Sequence, residues 1–592
     1  MKFSTLALFL DKIESTSSRL AITNLLSEML KKIELEEIGK TIYLLQGRVT
    51  PVFESTVFGM AEKTVIKSIS TALNLDKRLF EKEYKKNGDL GRTVELFKNQ
   101  IHSFDEKDLS ITELFNDLYK LAMAAGKGSQ EIKQNILANL IRQLDPVSSR
   151  YVVRIPLGIM RMGFSDMTIL DVLSWMLVGS KDYRPQIQKA YHVRPDLGYI
   201  AGILKQKGIE GLKHIRPQVF YPIIMMRAER LSSGKEIIEK IGQCLVEPKY
   251  DGFRLQVHFK NQLVRLYSRS LEEVSFMYPD IIEGIKKQIK SDEIIIEGEA
   301  IGFDPQTGNF LPFQETVQRK RKFDITEKAK EIPLKLFVFE LLYSDGIDYI
   351  DKPYIERRRL LEKKIVSSGD VFQDTILIAK ENIIDNKEGI ELAFDESITN
   401  GLEGIIAKKL QGIYQPGARG WNWIKFKKSY SSKIKDTLDC LVMGYDYGKG
   451  KRTDFGIGAF LVGIYDEEND QFQTVAKIGT GLTDKEWIDL KSKAMKFQVK
   501  TKPQNYIVDK AMDCDIWLSP EIVVEIKADE ITRSPVHTAG RKLKFSKTGQ
   551  TTEVDIPGYA LRFPRLETFR EDKRPEDATT LSEITQIGSQ GK

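Results

Sequence analysis

The sequence predicts a multidomain α+β protein with an all-helical N-terminal domain, a mixed and largely antiparallel α+β central domain, and a C-terminal β-barrel. The chain has 592 residues, which is more than one hydrophobic core usually serves. Up to about Arg216, apolar residues such as Leu26, Met29 and Leu30 recur at three- to four-residue spacing, which indicates helices. Beyond that point, short runs that alternate polar and apolar residues predominate, which is typical of strands.

The helical pattern is interrupted by a stretch rich in Gly, His, Arg and Pro, residues 208–222, which we interpret as a linker. We therefore expect three domains, at residues 1–218, 219–428 and 429–592. Strand-like runs of the central domain occupy residues 253–259, 263–267, 293–303, 334–343 and 402–408. Similar runs at residues 438–445, 458–465, 472–477 and 521–527 favour a small barrel of short strands in the last domain.

Composition and charge narrow the class of protein. Hydrophobic residues make up 41% and charged residues 29% of the chain, so neither a disordered nor a fibrous protein is indicated. The net charge of +6 is too small to indicate nucleic-acid binding by itself. Cys244, Cys440 and Cys514 are widely separated and lack CxxC spacing, which favours a reducing cytoplasm over a disulfide framework or a zinc site. No apolar run approaches membrane-spanning length, so we expect no membrane association.

The most informative segment is Glu247-Pro-Lys-Tyr-Asp-Gly-Phe-Arg254. In it, Lys249 follows a strand-like run, and the Asp-Gly pair forms a turn before the next run. A lysine in this place projects from the edge of a strand. The KxDG pattern fixes only three positions, so a random chain of this length would contain it with a probability of roughly several per cent. Taken alone, Lys249 could equally be a surface lysine in a turn.

Further elements follow Lys249 in a fixed order along the chain. They are Ser268-Arg269, Glu297-Gly-Glu299, Phe339-Glu340, the segment from Glu403-Gly404 to Lys408, and Trp423-Ile-Lys425-Phe-Lys427. Together with Lys249, these elements resemble the covalent nucleotidyltransferase family of ligases and capping enzymes. Glu340 stands where that family more often has Asp, and Glu297 stands where Asp is also common; both keep the carboxylate.

The resemblance extends over nearly the whole chain. It includes Leu144-Asp-Pro, Arg161-Met-Gly163, Leu311-Pro-Phe-Gln314, Arg319-Lys-Arg-Lys322, Arg562-Phe-Pro-Arg565-Leu566 and Asp577-Ala-Thr-Thr580. This combination is similar to ATP-dependent DNA ligases of the archaeal and eukaryotic replicative type. The resemblance implies a helical DNA-binding domain, a central nucleotidyltransferase (adenylation) domain and a C-terminal OB-fold barrel.

The residue types fit the chemistry of nucleotide transfer to a lysine. An amine attacks phosphorus only when neutral, and an ordinary lysine, with a pKa near 10.4, is neutral in about one molecule in 2,500 at pH 7. Nearby positive charge favours the neutral amine, and Arg254, Lys425, Lys427 and a bound Mg²⁺ would supply it. Glu297 and Glu299 are two residues apart and share one face of a strand, where two carboxylates repel each other unless a cation is near.

The resemblance also implies roles for individual residues. Lys249 would carry AMP, with ATP and Mg²⁺ as cofactors. At the base, Glu247 would bind the adenine amino group and Phe339 would stack on the ring, while Arg269 and Glu299 would bind the ribose. The α-phosphate would be bound by Arg254, Lys408, Arg419 and Lys425. The metal would be bound by Glu299 and Glu403. From the barrel, Arg565 would orient the departing pyrophosphate.

The implied function is ATP-dependent sealing of nicks in duplex DNA, in replication, repair and recombination. Lys249 takes AMP from ATP, the AMP moves to the 5′-phosphate of the nick, and the 3′-hydroxyl displaces it. The expected partner is nicked double-stranded DNA, bound through its backbone phosphates without sequence preference. We expect a monomer, and the sequence leaves open whether a sliding clamp binds it.

Three other functions remain open on the sequence. An RNA ligase or capping enzyme would share the lysine motif, but the long helical domain and the Arg562-Phe-Pro-Arg565 ending argue against it. An NAD-dependent ligase is disfavoured because the chain lacks a cysteine-based zinc module. A non-catalytic DNA clamp would be expected to have lost some of the site residues, and all of them are present.

Several residues also have simpler interpretations. Phe339 lies in an apolar run, where an aromatic side chain more often belongs to the core than stacks on a base. We interpret residues 319–322 as a solvated loop and Arg357-Arg-Arg359 as a helix face, and assign neither to catalysis. The histidines show no paired spacing, so structural roles are expected for them.

Overall fold

The computed structural model describes residues 1–16, 18–101, 106–162, 164–231, 233–306, 309–311, 313–321, 324–400, 402–427, 437–448, 456–479, 482–528, 530–545 and 552–589. The chain folds into two compact units: Met1–Phe80 with Leu90–Lys428, and Glu81–Asp89 with Ser429–Lys592. Outside the described residues lie three members of the motifs that carry the family resemblance, Gly163, Pro312 and Lys322. The expected domain boundary at residue 428 lies outside them as well. None of the helices within the described ranges has both the length and the apolar composition needed to cross a bilayer.

The chain up to residue 207 is helical, as the apolar spacing predicts. The helices are α1 (Phe3–Glu14), α2 (Arg19–Lys32), α3 (Leu35–Leu45), α4 (Glu62–Leu73), α5 (Lys77–Asn87), α6 (Leu90–Gln100), α7 (Ile111–Met123), α8 (Ser129–Gln143), α9 (Pro146–Arg154), α10 (Asp166–Val178), α11 (Arg184–Val193) and α12 (Leu197–Lys207). In α2, Leu26, Met29 and Leu30 are buried, so the apolar stripe faces the core. Asp145 of the Leu144-Asp-Pro motif caps α9 by accepting a hydrogen bond from Ser148 N at 3.0 Å.

Glu14 joins three of these helices through ion pairs. Its carboxylate lies 2.8 Å from Arg154 of α9 and 2.9 Å from Arg92 of α6. Tyr151 also donates a hydrogen bond to Glu14, at 3.0 Å. Burial by itself would raise the pKa of Glu14, but the hydrogen bond and charge of Arg154, with the hydrogen bonds of Arg92 and Tyr151, lower that pKa to about 2.

Two sheets form the central part of the first unit. In the first, the strand order is β1-β11-β10-β2-β9, and its members are β1 (Arg227–Arg230), β2 (Cys244–Lys249), β9 (Asn382–Ile384), β10 (Gly404–Lys409) and β11 (Arg419–Lys427). In the second, the order is β4-β3-β5-β6-β7 with β8 beside β6, and its members are β3 (Phe253–Lys260), β4 (Leu263–Ser268), β5 (Glu293–Gly302), β6 (Leu334–Ser344), β7 (Ile347–Asp348) and β8 (Ile376–Ile378). Most of these pairings are antiparallel.

Helices cover one face of each sheet. In the first sheet, α13 (Gly234–Ile241) and α18 (Lys387–Thr399) bury apolar residues such as Ile237 and Ile390 against Val246. In the second, α14 (Pro279–Gln288) and α17 (Tyr354–Lys364) contribute Ile281 and Leu361 to the core. Two shorter helices, α15 (Phe313–Thr316) and α16 (Ile325–Glu331), precede β6. The opposite faces are left to form the cavity described below.

Buried side chains of β3 bind the segment that leads from the helices into the sheets. Phe220 N donates to Nδ1 of His258 at 2.9 Å, and Ile223 N donates to Oε1 of Gln256 at 2.7 Å. Burial, with the charge of Arg265, lowers the pKa of His258 to about 3. The ring is therefore neutral, accepts at Nδ1 and donates from Nε2 to Gln256, 2.9 Å away.

The second unit is rich in strands. Its strands are β12 (Leu438–Asp446), β13 (Ala459–Asp466), β14 (Gln471–Ile478), β15 (Gln498–Val499), β16 (Tyr506–Ile507), β17 (Ile516–Leu518), β18 (Val523–Lys527), β19 (Glu530–Ser534), β20 (Lys542–Phe545), β21 (Thr552–Ile556), β22 (Gly558–Arg562) and β23 (Arg565–Phe569). The helices α19 (Asp484–Ala494) and α20 (Leu581–Ser589) add Trp487, Leu490 and Ile584 to the core of this unit. The predicted sequence of helical, mixed and strand-rich parts is thus confirmed, whereas the three domain boundaries remain a prediction.

Replacing Glu14 with Gln should destabilise the helical part by about 3 kcal/mol, because Arg154 would keep a buried charge without its carboxylate. Since the pKa of Glu14 is lowered on folding to about 2, the stabilisation is complete above pH 4.5 and is lost as the pH falls towards 2. Urea unfolding followed by circular dichroism should show a difference between the two proteins that shrinks over this pH range.

The control for this experiment is Glu28→Gln. Glu28 pairs with Lys32 on the surface of α2, where both side chains are more than half exposed, so its loss should leave the urea midpoint unchanged. Equal effects of the two substitutions, or a Glu14→Gln effect that does not depend on pH, would contradict the buried ion pair as the cause.

Candidate active site

A cavity of about 460 Å³ lies between the two central sheets. Ten of the residues predicted from the sequence line it: Glu247, Lys249, Arg254, Arg269, Glu299, Phe339, Glu403, Lys408, Arg419 and Lys425. Arg565 is an exposed residue at the start of β23 in the second unit, and Lys427 of β11 is not part of the cavity lining. A wider cavity of about 850 Å³, next to Phe220 and Tyr221, contains none of these residues.

Lys249 is the last residue of β2, and two glycines allow the chain around it to pack closely. A Cβ at Gly252, in the turn after Lys249, would lie 2.0 Å from the carbonyl oxygen of Ala300 in β5. Gly404 pairs with Lys249 across β10 and β2 and has φ +144°, and a Cβ there would lie 2.3 Å from Phe426 O. Side chains larger than hydrogen would force these strands apart, which gives a physical reason for Gly in KxDG and in Glu-Gly.

The ammonium group of Lys249 forms an ion pair with Glu403. Lys427 reaches the other oxygen of the same carboxylate at 2.7 Å. Burial by itself would raise the pKa of Glu403, but the charges and hydrogen bonds of Lys249 and Lys427 lower it. One carboxylate thus holds two lysines, of which Lys249 lines the cavity.

Further positive charge surrounds this pair. Burial and the nearby cations Lys427, Arg419 and Lys249 lower the pKa of Lys425. Arg269 and Arg419 are exposed at the mouth of the cavity. Within the described residues, the buried Nε of Arg254 has no hydrogen-bond partner, which leaves this donor for a ligand. This end of the cavity is therefore suited to a polyanion such as a triphosphate.

Glu297 and Glu299, predicted to share a strand face, have different surroundings. Glu297 is completely buried and accepts from Arg254 Nη2 at 2.5 Å, so a cationic partner is present as expected. Tyr414 and Gln256 donate further hydrogen bonds to it, each at 3.0 Å. Burial raises the pKa of Glu299 to about 7, against the charges of Lys249 and Arg254.

Glu247 lies at the opposite end of the cavity. Its Oε2 is 2.6 Å from Lys408 Nζ, and its Oε1 accepts from the hydroxyl of Tyr354 at 2.6 Å and from Arg358 at 3.2 Å. Phe339 is the half-buried member of an otherwise buried run and lines the cavity, so it is not simply a core residue. Its ring stands edge to face with Trp423, with centroids 5.9 Å apart.

Lys408 lies with these residues at the Glu247 end, although the sequence assigned it to the α-phosphate. Its Nζ bonds to Glu247, to the carbonyl oxygen of Phe339 at 3.0 Å and to the Tyr354 hydroxyl at 3.1 Å. All three of its N–H donors are therefore in use. A contact with phosphate would require breaking these bonds.

The role of α17 in supporting the cavity was not predicted from the sequence. Arg357-Arg-Arg359 lies in a helix, as predicted, but the prediction did not include that Arg357 and Arg358 are buried. Arg357 forms a bidentate pair with Glu340, with both contacts at 2.8 Å. The spacing of the residues could have indicated this burial. One helix face carries Tyr354, Arg357, Arg358 and Leu361, so the two arginines belong to the same buried stripe as the tyrosine and the leucine.

The interpretation of residues 319–322 as a solvated loop was also wrong for Arg319. This side chain is 1% exposed and pairs with Asp280 of α14 at 2.6 Å. Arg319 could not be told apart from the other basic residues of this run by its local sequence. Its partner, Asp280, lies 39 residues earlier in the chain, and no local pattern indicates the pairing.

Family models of ligase domains match three successive parts of the chain. They describe a DNA ligase N terminus over residues 2–174, an ATP dependent DNA ligase domain over residues 225–427 and an ATP dependent DNA ligase C terminal region over residues 453–573. The chain also resembles a solved structure titled Pmar-Lig_PreS3, with a TM-score of 0.53 and 16% identity, over 95% of this chain and 99% of that one. At this identity the likeness concerns the fold alone.

Proteins named as DNA ligases or probable DNA ligases align with nearly the full length of the chain. A probable DNA ligase of Dictyoglomus thermophilum is 46% identical over 588 residues, and a DNA ligase of Sulfurisphaera tokodaii is 40% identical over 600. Each alignment covers 99% of this chain and 97% of the relative. The chain therefore belongs to the ATP-dependent DNA ligase family.

Proposed function

We propose that Lys249 is the residue of this DNA ligase that takes AMP from ATP and passes it to the nick. The observation that carries the proposal is the position of Lys249 in the lining of a cavity that also contains Arg254 and Lys425, with Lys427 paired to the same carboxylate as Lys249. The ε-nitrogen attacks the α-phosphorus, the bond to the β-phosphate oxygen breaks, and pyrophosphate leaves. A lysyl-AMP with a P–N bond remains.

Glu403 and the surrounding cations support this step. Lys249 must lose a proton before its nitrogen can attack the α-phosphorus. Glu403 holds both Lys249 and Lys427, so the attacking nitrogen stays within reach of the phosphates while Lys427 adds charge beside it. Positioning and charge stabilisation of this kind supply most of the catalysis in phosphoryl-type transfer.

The charges of the cavity support one orientation of ATP. The cations Arg254, Arg419 and Lys425 would bind the phosphates, with Arg269 and Glu299 at the ribose. At the other end, Phe339 would stack on adenine and Glu247 would accept from its 6-amino group. We assign Lys408 to this base end, because its hydrogen bonds are directed to Glu247 and to the Phe339 carbonyl.

Mg²⁺ fits this cavity as an ion shared with the nucleotide. Among the residues that the structure describes, no group of three or more His, Cys, Asp and Glu side chains converges on one point. Mg²⁺ usually takes only one or two carboxylates and fills its remaining positions with water and substrate phosphates. Glu299 and Glu403 both line the cavity and would provide those carboxylates. The bound ion would offset negative charge on the phosphates.

In the following steps, AMP moves from Lys249 to the 5′-phosphate of a nick in duplex DNA, and the 3′-hydroxyl then displaces it. The products are a phosphodiester bond and AMP. We further propose that the protein acts as a monomer in the cytoplasm, where its three free cysteines would stay reduced. Arg565 would act on the departing pyrophosphate, and a sliding clamp is a candidate partner.

Replacing Lys249 with Ala should abolish covalent labelling of the protein by α-labelled ATP and Mg²⁺, measured after denaturing electrophoresis. The same variant should still seal a nick that already carries 5′-AMP, because the last step does not need the lysine. Lys409→Ala removes an exposed lysine from the neighbouring strand β10 and should keep wild-type labelling. Label on Lys249→Ala would assign the nucleophile elsewhere, and an unlabelled wild-type protein would contradict the proposed step.

Replacing Gly252 with Ala should slow the labelling of Lys249 by about 100-fold. The added methyl would meet Ala300 O at 2.0 Å, so the turn after Lys249 must move, and a displacement of about 1 Å is enough for a loss of this size. Labelling time courses at saturating ATP measure the effect.

The matched control is Gly202→Ala. Gly202 lies in α12, where a Cβ meets nothing within 4 Å and alanine is the better helix former. This variant should keep the wild-type rate. Unchanged labelling in Gly252→Ala would show that the close approach of the turn and β5 does not position the lysine.

A further inference from the structure

Helix α17 places a tyrosine hydroxyl and an arginine behind the base end of the cavity. We propose that Tyr354 is a positioning residue that aims the carboxylate of Glu247 at the 6-amino group of a purine, and that it thereby makes the enzyme select adenine nucleotides. This inference rests on the proposed function, because it assumes that the base of ATP occupies this end. Tyr354, Arg357 and Arg358 are the buried residues that carry the argument.

Hydrogen bonds within the protein fix the position of the helix. Arg357 forms its bidentate pair with Glu340 of β6 and also donates to the carbonyl oxygen of Gly412 at 3.1 Å. Arg358 donates to the carbonyl oxygen of Ala379, which lines the cavity, at 2.5 Å. Since both arginines are buried, these bonds are shielded from water and hold the first turn of α17 against both sheets.

The Tyr354 hydroxyl has one proton and two acceptors within reach, Glu247 Oε1 at 2.6 Å and the carbonyl oxygen of Phe339 at 3.1 Å, and the shorter contact to the charged group is the stronger one. Burial, with the negative charge of Glu247, raises the pKa of Tyr354 well above 10, so the hydroxyl stays protonated. It lies 2.6 Å from Glu247 Oε1 and 3.1 Å from Lys408 Nζ. Lysine has no acceptor, so Lys408 donates to the tyrosine oxygen and the tyrosine donates to the carboxylate.

The carboxylate is therefore held by three donors, two of which are cations. Tyr354 and Arg358 bond to Oε1 of Glu247, and Lys408 bonds to Oε2. A carboxylate has about four lone-pair sites, so these three partners leave about one for a ligand. The side chain is 3% exposed and lines the cavity, so the remaining site is directed to whatever fills the cavity.

This arrangement distinguishes bases by the group at position 6. An ionised carboxylate can only accept hydrogen bonds, so it pairs with the amino group of adenine. The 6-oxygen of guanine or hypoxanthine is itself an acceptor and would face the carboxylate without a proton between them. A site of this kind rejects ligands that leave its buried polar group unpaired. Tyr354 contributes by fixing the direction of the free lone pair.

The test compares three triphosphates as donors for the labelling of Lys249: ATP, purine riboside triphosphate, which lacks the 6-amino group, and inosine triphosphate, which carries oxygen there. Wild-type enzyme should prefer ATP to both. In Tyr354→Phe, the KM for ATP should rise about tenfold, as expected for loss of one hydrogen bond to a charged group, while the maximal rate stays the same. The KM for purine riboside triphosphate should not change, since that base has no amino group to bind.

A second variant tests the same inference in case Tyr354→Phe does not fold. Glu247→Gln replaces an acceptor by a group that also donates, so its use of inosine triphosphate relative to ATP should rise above that of the wild type. The matched control is Tyr343→Phe, which removes another tyrosine hydroxyl bonded to a glutamate, Glu293, outside this cavity. It should leave all three KM values unchanged.

The outcomes separate this inference from the proposed function. If wild-type Lys249 takes no label from any of the three nucleotides, the proposed function fails. If the wild type is labelled from ATP but Tyr354→Phe raises the KM of ATP and of purine riboside triphosphate equally, Tyr354 has only a structural role and the inference is overturned. An unchanged ratio of inosine triphosphate to ATP in Glu247→Gln would overturn it as well.

Discussion

Charges buried between the two central sheets must be paired, and the pairing determines the shape of the cavity. An unpaired carboxylate at this depth would cost several kcal/mol. Glu247, Glu297 and Glu340 are all nearly or completely buried, in strands β2, β5 and β6. Their cationic partners are Lys408 and Arg358, Arg254, and Arg357, respectively. Because α17 supplies partners to both sheets, satisfying these charges also sets the position of one sheet against the other.

The same pairing gives the cavity two chemically different ends. At one end, Lys408 is fully bonded beneath three aromatic rings, those of Phe339, Tyr354 and Trp423, each 4.6 Å from its ammonium. At the other end, basic side chains are grouped around Lys249. Two of them, Lys249 and Lys427, are paired with the same carboxylate, that of Glu403. A ligand with a flat base and a chain of phosphates matches this division, and the groups that meet it are held in place beforehand.

The sequence predicted the fold class and the set of residues around the cavity, because both depend on patterns that are local or ordered along the chain. The spacing of apolar residues in α2 and the Lys249 segment are examples. It did not reveal how the charges are paired. Glu247 and Arg358 are 111 residues apart, and Arg319 looked like one more residue of a basic loop. Such pairings are created by tertiary packing, so the partner of a buried charge cannot be inferred from its neighbours in the chain.

The hydrogen bonds from residues 220–223 to β3 bear on where the central domain begins. The ATP dependent DNA ligase domain model matches from residue 225, yet the peptide groups of Phe220 and Ile223 already belong to the sheet through His258 and Gln256. A fragment cut at residue 225 would leave the buried imidazole and amide without these partners, and Gln256 bonds directly to Glu297. A catalytic fragment that keeps these hydrogen bonds must therefore begin upstream of Phe220, and an exchange of this part between relatives would have to carry the short segment along with the sheets.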